Sequence, residues 1–358
     1  MTRKPIFIVG TMRSGSTLFR LVLDAHPDIA IGEETGFMGA VAATRSIPAW
    51  QHGPNWFTRL GWSEQEFDER LHDFYAGLFE RFARSQGKSR WGEKTPFHSQ
   101  YVLEMARLFP EAVFVAIVRH PGAVVHSLAS KFHHGVGEAA AYWERTNADL
   151  LRHGAELGGD RFALVRYEDL VLNSETVLRE LMDWLDEPWS EDLLRHNDIQ
   201  AARGAPRMSA GSTRTRDPIT ASVSSRWVQA LSAPELAQVV SATGALARLL
   251  GYDPALPTAP TPVPSPGRPE LLVTGSVLRE LRRAHPDHPA FTPRADEVLL
   301  PEEADPAELA RRLRQAERAL ARIRSRRAVR WVDSAQKARR VLGGLPAELA
   351  RRSRRGGR

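Results

Sequence analysis

The chain has 358 residues, 42% of them hydrophobic and 26% charged, which is enough to bury the core of a large globular domain with further segments attached. It contains no cysteine, and so excludes disulfides, thiolate nucleophiles and cysteine-based metal sites. Its net charge of +6 conceals an asymmetry: residues 307–358 carry 16 Arg and 1 Lys against 4 acidic side chains, a balance of +13, leaving −7 on the first 306 residues.

The N-terminal Met-Thr-Arg-Lys-Pro leads straight into an apolar β-branched run, Ile6–Val9, without the apolar stretch of a signal peptide. No run of about 18 apolar residues predicts a membrane span. With the absence of cysteine, this sets the expectation of a cytoplasmic protein. Three short apolar runs, Ile6–Val9, Val113–Val118 and residues 162–165, predict buried parallel strands. Helical spacing covers residues 16–25, 64–86, 97–108, 121–132, 138–157, 174–185 and 234–250. Strand and helix therefore alternate, predicting an α/β fold: a P-loop-like three-layer sandwich around a central parallel sheet. Residues 46–62, with Trp50, Trp56, Phe57 and Trp62 among Pro and Gly, read as a loop or an acceptor lid.

Residues 254–269 hold seven prolines and predict a semi-extended linker that ends the folded domain near Asp253. Residues 270–305 read as partly helical, around 277–283, before Pro286, Pro289 and Pro293 break the pattern. From Glu308 the residues Leu309, Leu313, Ala316, Leu320 and Ile323 follow a 4-3-4-3 spacing, too short to stand alone as a coiled coil. The expected organisation is a main domain over 1–253, a linker over 254–269, an ambiguous segment over 270–305 and an Arg-rich helical or disordered tail over 306–358.

The segment PIFIVGTMRSGSTLFR (5–20) joins a strand to a helix through a short polar loop. That layout aims backbone N–H groups and a helix N-terminus at an anion. The spacing Gly10-x4-Gly15-x-Thr17 nearly fits the Walker A pattern, but Ser16 stands where the lysine belongs and the positive charge has moved to Arg13. The loop suits the phosphates of a nucleotide other than ATP. A second basic element follows the second strand. Arg119 sits at its carboxyl end, where open α/β sheets bind ligands, and Ser127 lies within two turns of the next helix start. An Arg fork and a hydroxyl can grip one phosphate. Two separate grips fit a nucleotide phosphorylated at both its 5′ and 3′ positions.

Three segments in order, RSGSTLFRLVLDAHPDIAIGEET (13–35), EKTPFHSQYVLEMARLFPEAVFVAIVRHPGAVVHS (93–127) and VRYEDLVLNSE (165–175), resemble sulfotransferases that use 3′-phosphoadenosine-5′-phosphosulfate (PAPS). The first is especially similar to tyrosylprotein sulfotransferases. The resemblance covers about 1–250, is poor over 38–90 and does not extend past the proline linker. It implies a PAPS-dependent domain over 1–253 in which Arg13, Ser14, Gly15, Ser16 and Thr17 hold the 5′-phosphosulfate. It further implies that Arg119 and Ser127 bind the 3′-phosphate, Tyr167 helps hold the nucleotide, and Ser212 and Arg226 belong to a late segment closing over it. Glu34 matches the general base and Lys94 the cation at the transferring group.

The chemistry asks for the same groups. An attacking hydroxyl must lose its proton to a nearby base, and charge growing on the bridging oxygen calls for a cation, the part assigned to Lys94 and Arg13. Lys94 is one of five lysines beside 44 arginines, as suits a site that needs a compact charge. His98 and His126 are rival bases. No acid follows Val118 where a metal-binding Asp would stand, so no metal is expected. Gly36 replaces the arginine that follows the Glu-Glu-Thr triplet in tyrosylprotein sulfotransferases, and their membrane anchor and cysteines are missing. These departures point to a soluble enzyme acting on a small molecule, a lipid or a saccharide. A homodimer, and an anionic surface met by the Arg-rich tail, are held open as further partners. The alternatives are an ATP-dependent kinase with a degenerate Walker loop, and a basic-tailed protein that binds nucleic acid or membrane surfaces.

Overall fold

A computed structural model of the chain describes residues 3–46, 55–204, 217–220, 225–261 and 271–292. The elements run β1 (Ile6–Val9), α1 (Ser16–Ala25), β2 (Ile29–Ile31), α2 (Phe37–Arg45), a 3-10 turn (Trp56–Leu60), α3 (Glu64–Ser85), β3 (Arg90–Lys94), a second 3-10 turn (Pro96–Tyr101) and α4 (Val102–Leu108). They continue with β4 (Val113–Val118), α5 (Pro121–Phe132), α6 (Val136–Leu157), β5 (Phe162–Arg166), α7 (Tyr167–Leu172), α8 (Ser174–Leu185) and α9 (His196–Ala202). The last described elements are α10 (Trp227–Ala230), α11 (Ala233–Leu249), β6 (Leu272–Thr274) and α12 (Gly275–Ala284).

The strands form one sheet in the order β2-β3-β1-β4-β5-β6, parallel from β2 to β5, with β6 antiparallel on β5. Apolar runs without alternation form its centre because both faces are covered. Phe7, Val9, Phe114, Ala116, Phe162 and Leu164 enter the core beneath α3, α4, α6 and α11. Their neighbours Ile6, Ile8, Val113, Val115, Ala163 and Val165 enter the opposite core, with α1 and α8. The result is the α/β/α sandwich that the strand and helix alternation predicts.

The topology decides where a ligand can sit. The chain leaves β1 for β2 and β3 on one side, then crosses to β4 and β5 on the other, so β1 is the switch point. In parallel register Ile8 pairs with Lys94, Val9 with Ala116 and Val118 with Arg166. The carboxyl ends of β3, β1, β4 and β5 therefore lie along one edge, and with them Lys94, the 10–17 loop, Arg119 and Tyr167.

The structure corrects several expectations. The compact unit runs to Thr292 and does not end near Asp253. Leu272, Val273, Val277, Leu278 and Leu281 are buried in it, and β6 pairs with β5. A three-residue strand gives too short a pattern to read in sequence. The predicted linker is fastened as well: Thr261 O accepts from Arg166 Nη1 at 2.5 Å. Helix 97–108 divides into a 3-10 turn and α4. β3 is missed because its sequence, Arg-Trp-Gly-Glu-Lys, is polar although every residue is buried. In the 46–62 stretch, Trp56 donates to Thr44 O and Phe57 stacks on Phe67 of α3, so these rings are packing. Trp50, Ser212 and the 306–358 tail lie outside the described residues.

Candidate active site

The loop between β1 and α1 is held by glycine at two points. A Cβ on Gly10 would lie 2.4 Å from Ile117 O, and one on Gly15 2.4 Å from Cδ2 of Tyr167. Gly15 also has φ +100, a conformation that side chains resist. Ser99 clamps the loop from the 3-10 turn after β3, accepting from Gly10 N at 2.7 Å and donating to Gly10 O at 2.9 Å. Tyr142 on α6 accepts from Met12 N at 3.0 Å. No side chain caps α1, and no acid occupies its first turn. Its leading amides therefore keep their donor capacity for an anion. Ser14 Oγ is buried without a hydrogen-bond partner.

At one end of this loop two cations converge. Arg13, at φ 72, donates from Nε to Ser127 Oγ at 2.9 Å. Arg119 lies 4.2 Å over the Tyr167 ring, and its Nη1 approaches Arg13 O at 3.5 Å. Burial, and then the charge of Arg119, pull Arg13 below its ordinary pKa. Like charges placed this close call for an anion between them. Arg119 Nε is also buried without a partner. Arg13 was expected beside Lys94 at the leaving group; the structure places its side chain with Ser127 instead.

At the other end Lys94 Nζ bonds Glu34 Oε1 and reaches Thr17 Oγ1 at 3.4 Å. The lysine side chain is 2% exposed, that of Glu34 45%. Burial lowers the Lys94 pKa, the Glu34 carboxylate offsets part of that, and Arg20 adds to the lowering. Sequence reasoning missed Arg20. It is buried on α1, donates to Ile31 O at 2.9 Å, and feels Asp24, Glu33 and Glu34. A lone arginine one turn after Thr17 in an apolar helix was the available signal.

Glu93 and His98 anchor the segment that follows Glu34. Glu93 Oε1 accepts from Thr35 Oγ1 at 2.9 Å and Thr95 Oγ1 at 2.6 Å, and Oε2 faces His98 Nδ1 at 2.8 Å. His98 Nε2 accepts from Met38 N at 3.3 Å. Both ring nitrogens are engaged and the ring is buried, so His98 is a structural group and no rival base. His126 sits on α5, within electrostatic reach of Glu235 on α11. Arg226 is exposed at the start of α10, and the next residue, Trp227, stacks on His120 at 4.5 Å.

The residues present fit a nucleotide with phosphates at two positions. The uncapped α1 start with Ser14, Ser16 and Thr17 suits one, and Arg13, Arg119 and Ser127 suit the other. Among the described residues one group, His26, Asp28 and Glu187, lies close enough to hold a metal. Its donors are already used: His26 by Pro188 O and Asp28 N, Glu187 by Arg90.

Residues 5–191 match the model of the sulfotransferase family. The chain is 30% identical over 292 residues to protein-tyrosine sulfotransferase 2 of Gallus gallus, covering 77% of this chain and 76% of that one. It is 30% identical over 288 residues to protein-tyrosine sulfotransferase 1 of Danio rerio, covering 76% and 78%. Among solved structures, the sulfotransferase domain of the Synechococcus PCC 7002 olefin synthase shares the fold. It aligns with a TM-score of 0.50 at 22% identity, over 70% of this chain and 96% of that domain.

Proposed function

The chain belongs to the sulfotransferase family, and from that premise we propose that it moves a sulfuryl group from PAPS to a hydroxyl or amine acceptor, releasing 3′,5′-phosphoadenosine. The observation that carries the donor is the pairing of two anion grips across one loop, Arg13, Arg119 and Ser127 at one end, Lys94 and Thr17 at the other. A nucleoside triphosphate offers no 3′-phosphate for the first grip. In this reading Glu34 removes the acceptor proton as its oxygen or nitrogen bonds to sulfur. Lys94 stabilises the charge left on the oxygen that departs with the 5′-phosphate. No residue's part requires a metal.

On the acceptor side we favour a small molecule, lipid or saccharide, in the cytoplasm. Gly36 stands two residues after Glu34, and a Cβ there would meet nothing within 4 Å, so the space beside it is open. A protein tyrosine is the second reading, favoured by the names of the two relatives. Mass spectrometry of sulfated products, with tyrosine peptides as a parallel arm, separates the two.

Calorimetric titration tests the donor. The protein is expected to bind 3′,5′-phosphoadenosine at least tenfold more tightly than 5′-AMP or ATP, by about 1.4 kcal/mol or more. Arg119→Ala should cost about 2–4 kcal/mol of that binding. Equal affinity for 3′,5′-phosphoadenosine and 5′-AMP in the wild type overturns the proposal.

A further inference from the structure

One peptide unit separates Arg119 from His120, and side chains from two different helices hold both of its polar groups. The carbonyl of Arg119 accepts from Trp143 Nε1 on α6 at 2.9 Å. The amide of His120 donates to Glu168 Oε1 on α7 at 3.2 Å. Arg119 lies just past the end of β4, so no ladder bond sets this peptide plane. Its two side-chain bonds do, and the plane sets the direction in which the Arg119 side chain leaves the backbone.

Glu168 is itself fixed. Its other oxygen, Oε2, accepts from Tyr252 OH at 2.8 Å, and its neighbour Tyr167 supplies the ring beneath the Arg119 guanidinium. His120 is locked from the far side. It caps α5 by accepting from Gly122 N at Nδ1, meets Asp253 O at 2.7 Å through Nε2, and stacks on Trp227. Burial pushes the Glu168 carboxyl up, while Arg119 and the two donors work against that shift. A carboxylate buried this deeply is costly, and here it serves a peptide bond rather than a salt bridge.

We propose that Glu168 is a positioning residue for the 3′-phosphate grip: through the His120 amide it fixes the peptide that aims Arg119, with Trp143 holding the same peptide from the other side. The inference rests on the nucleotide reading above and deepens it, because it assigns the selectivity for a 3′-phosphate to a residue that does not touch the nucleotide.

The test is titration of the full chain with 3′,5′-phosphoadenosine and with 5′-AMP. Glu168→Leu keeps the volume and removes the acceptor. It is expected to weaken 3′,5′-phosphoadenosine about tenfold while leaving 5′-AMP within about twofold. Glu168→Gln keeps an oxygen for the His120 amide and should restore 3′,5′-phosphoadenosine to within about threefold of wild type. If Glu168→Leu fails to fold, Trp143→Phe, which frees the other half of the same peptide, is expected to show the same selective loss. Equal weakening of both nucleotides, or unchanged 3′,5′-phosphoadenosine binding in the folded variant, overturns the proposal. A wild type without preference for the 3′-phosphate would instead overturn the nucleotide reading itself.

Discussion

Lys94 and Glu34 form an ion pair in which the lysine side chain is buried and that of the glutamate is 45% exposed. The exposed partner can turn to an incoming acceptor, whereas the buried one is held by β3 and can only wait for charge to arrive. An acceptor that draws Glu34 away leaves the ammonium to face the departing oxygen.

This arrangement predicts a split between binding and turnover. Glu34→Gln is expected to leave 3′,5′-phosphoadenosine affinity within a few-fold and to lower turnover by about 10²–10⁴. Lys94→Ala should likewise harm turnover more than affinity. Calorimetry beside product formation measured by mass spectrometry decides. Full turnover in Glu34→Gln would remove the glutamate from the base role.

The close approach of Gly15 to Tyr167 predicts that Gly15→Ala is destabilised and fails to bind the nucleotide. The added methyl would meet the ring at 2.4 Å, and φ +100 adds a further cost of about 1 kcal/mol or more. Adding Tyr167→Ala should relieve the clash but not the backbone cost. Thermal melting of the single and double variants separates the two contributions.

A buried histidine predicts how stability follows pH. His153 on α6 is pushed down to about 4 by burial, and next by Arg152. Between pH 6.5 and about 4 the unfolded chain takes up a proton there and the folded chain does not. Stability is therefore fully present above about pH 6.5 and falls with decreasing pH until about 4, by on the order of 3 kcal/mol. His120, lowered chiefly by burial, contributes in the same direction. Urea denaturation of His153→Leu at pH 7 and pH 4.5 should show a smaller loss than in the wild type.

Truncation distinguishes the two domain ends. Deleting residues 254–358 strips Leu272, Val273, Val277, Leu278, Leu281 and Phe291 from the core, on the order of 10 kcal/mol of apolar burial. That is comparable to the whole stability of a typical domain, so the 1–253 fragment is expected not to fold. Ending the chain at Thr292 is expected to preserve both the melting transition and nucleotide binding. A cooperative wild-type melt from 1–253 would contradict this.

The central strands and most helices were legible in the sequence because β1, β4 and β5 are continuous apolar runs and α1 and α8 carry strong helical periodicity. The phosphate loop was legible because Gly10, Gly15 and a Ser-Thr pair at a helix start, after an apolar strand, leave a local pattern. What the sequence could not decide was everything set by contacts between distant segments. β3 reads as polar because of Arg90, Glu93 and Lys94, and only in the fold do Glu187, His98 and Glu34 pair with them and make their burial tolerable. β6 is too short to announce itself and exists through its pairing with β5. The fate of His98, the turn of Arg13 toward Ser127, and the hold of Glu168 on the peptide after Arg119 likewise belong to the tertiary structure. Hydrogen bonds such as His98 to Met38, Arg13 to Ser127 and Glu168 to His120, between residues 60, 114 and 48 positions apart, have no local period, so only the folded sheet, by bringing four strand ends to one edge, could decide them.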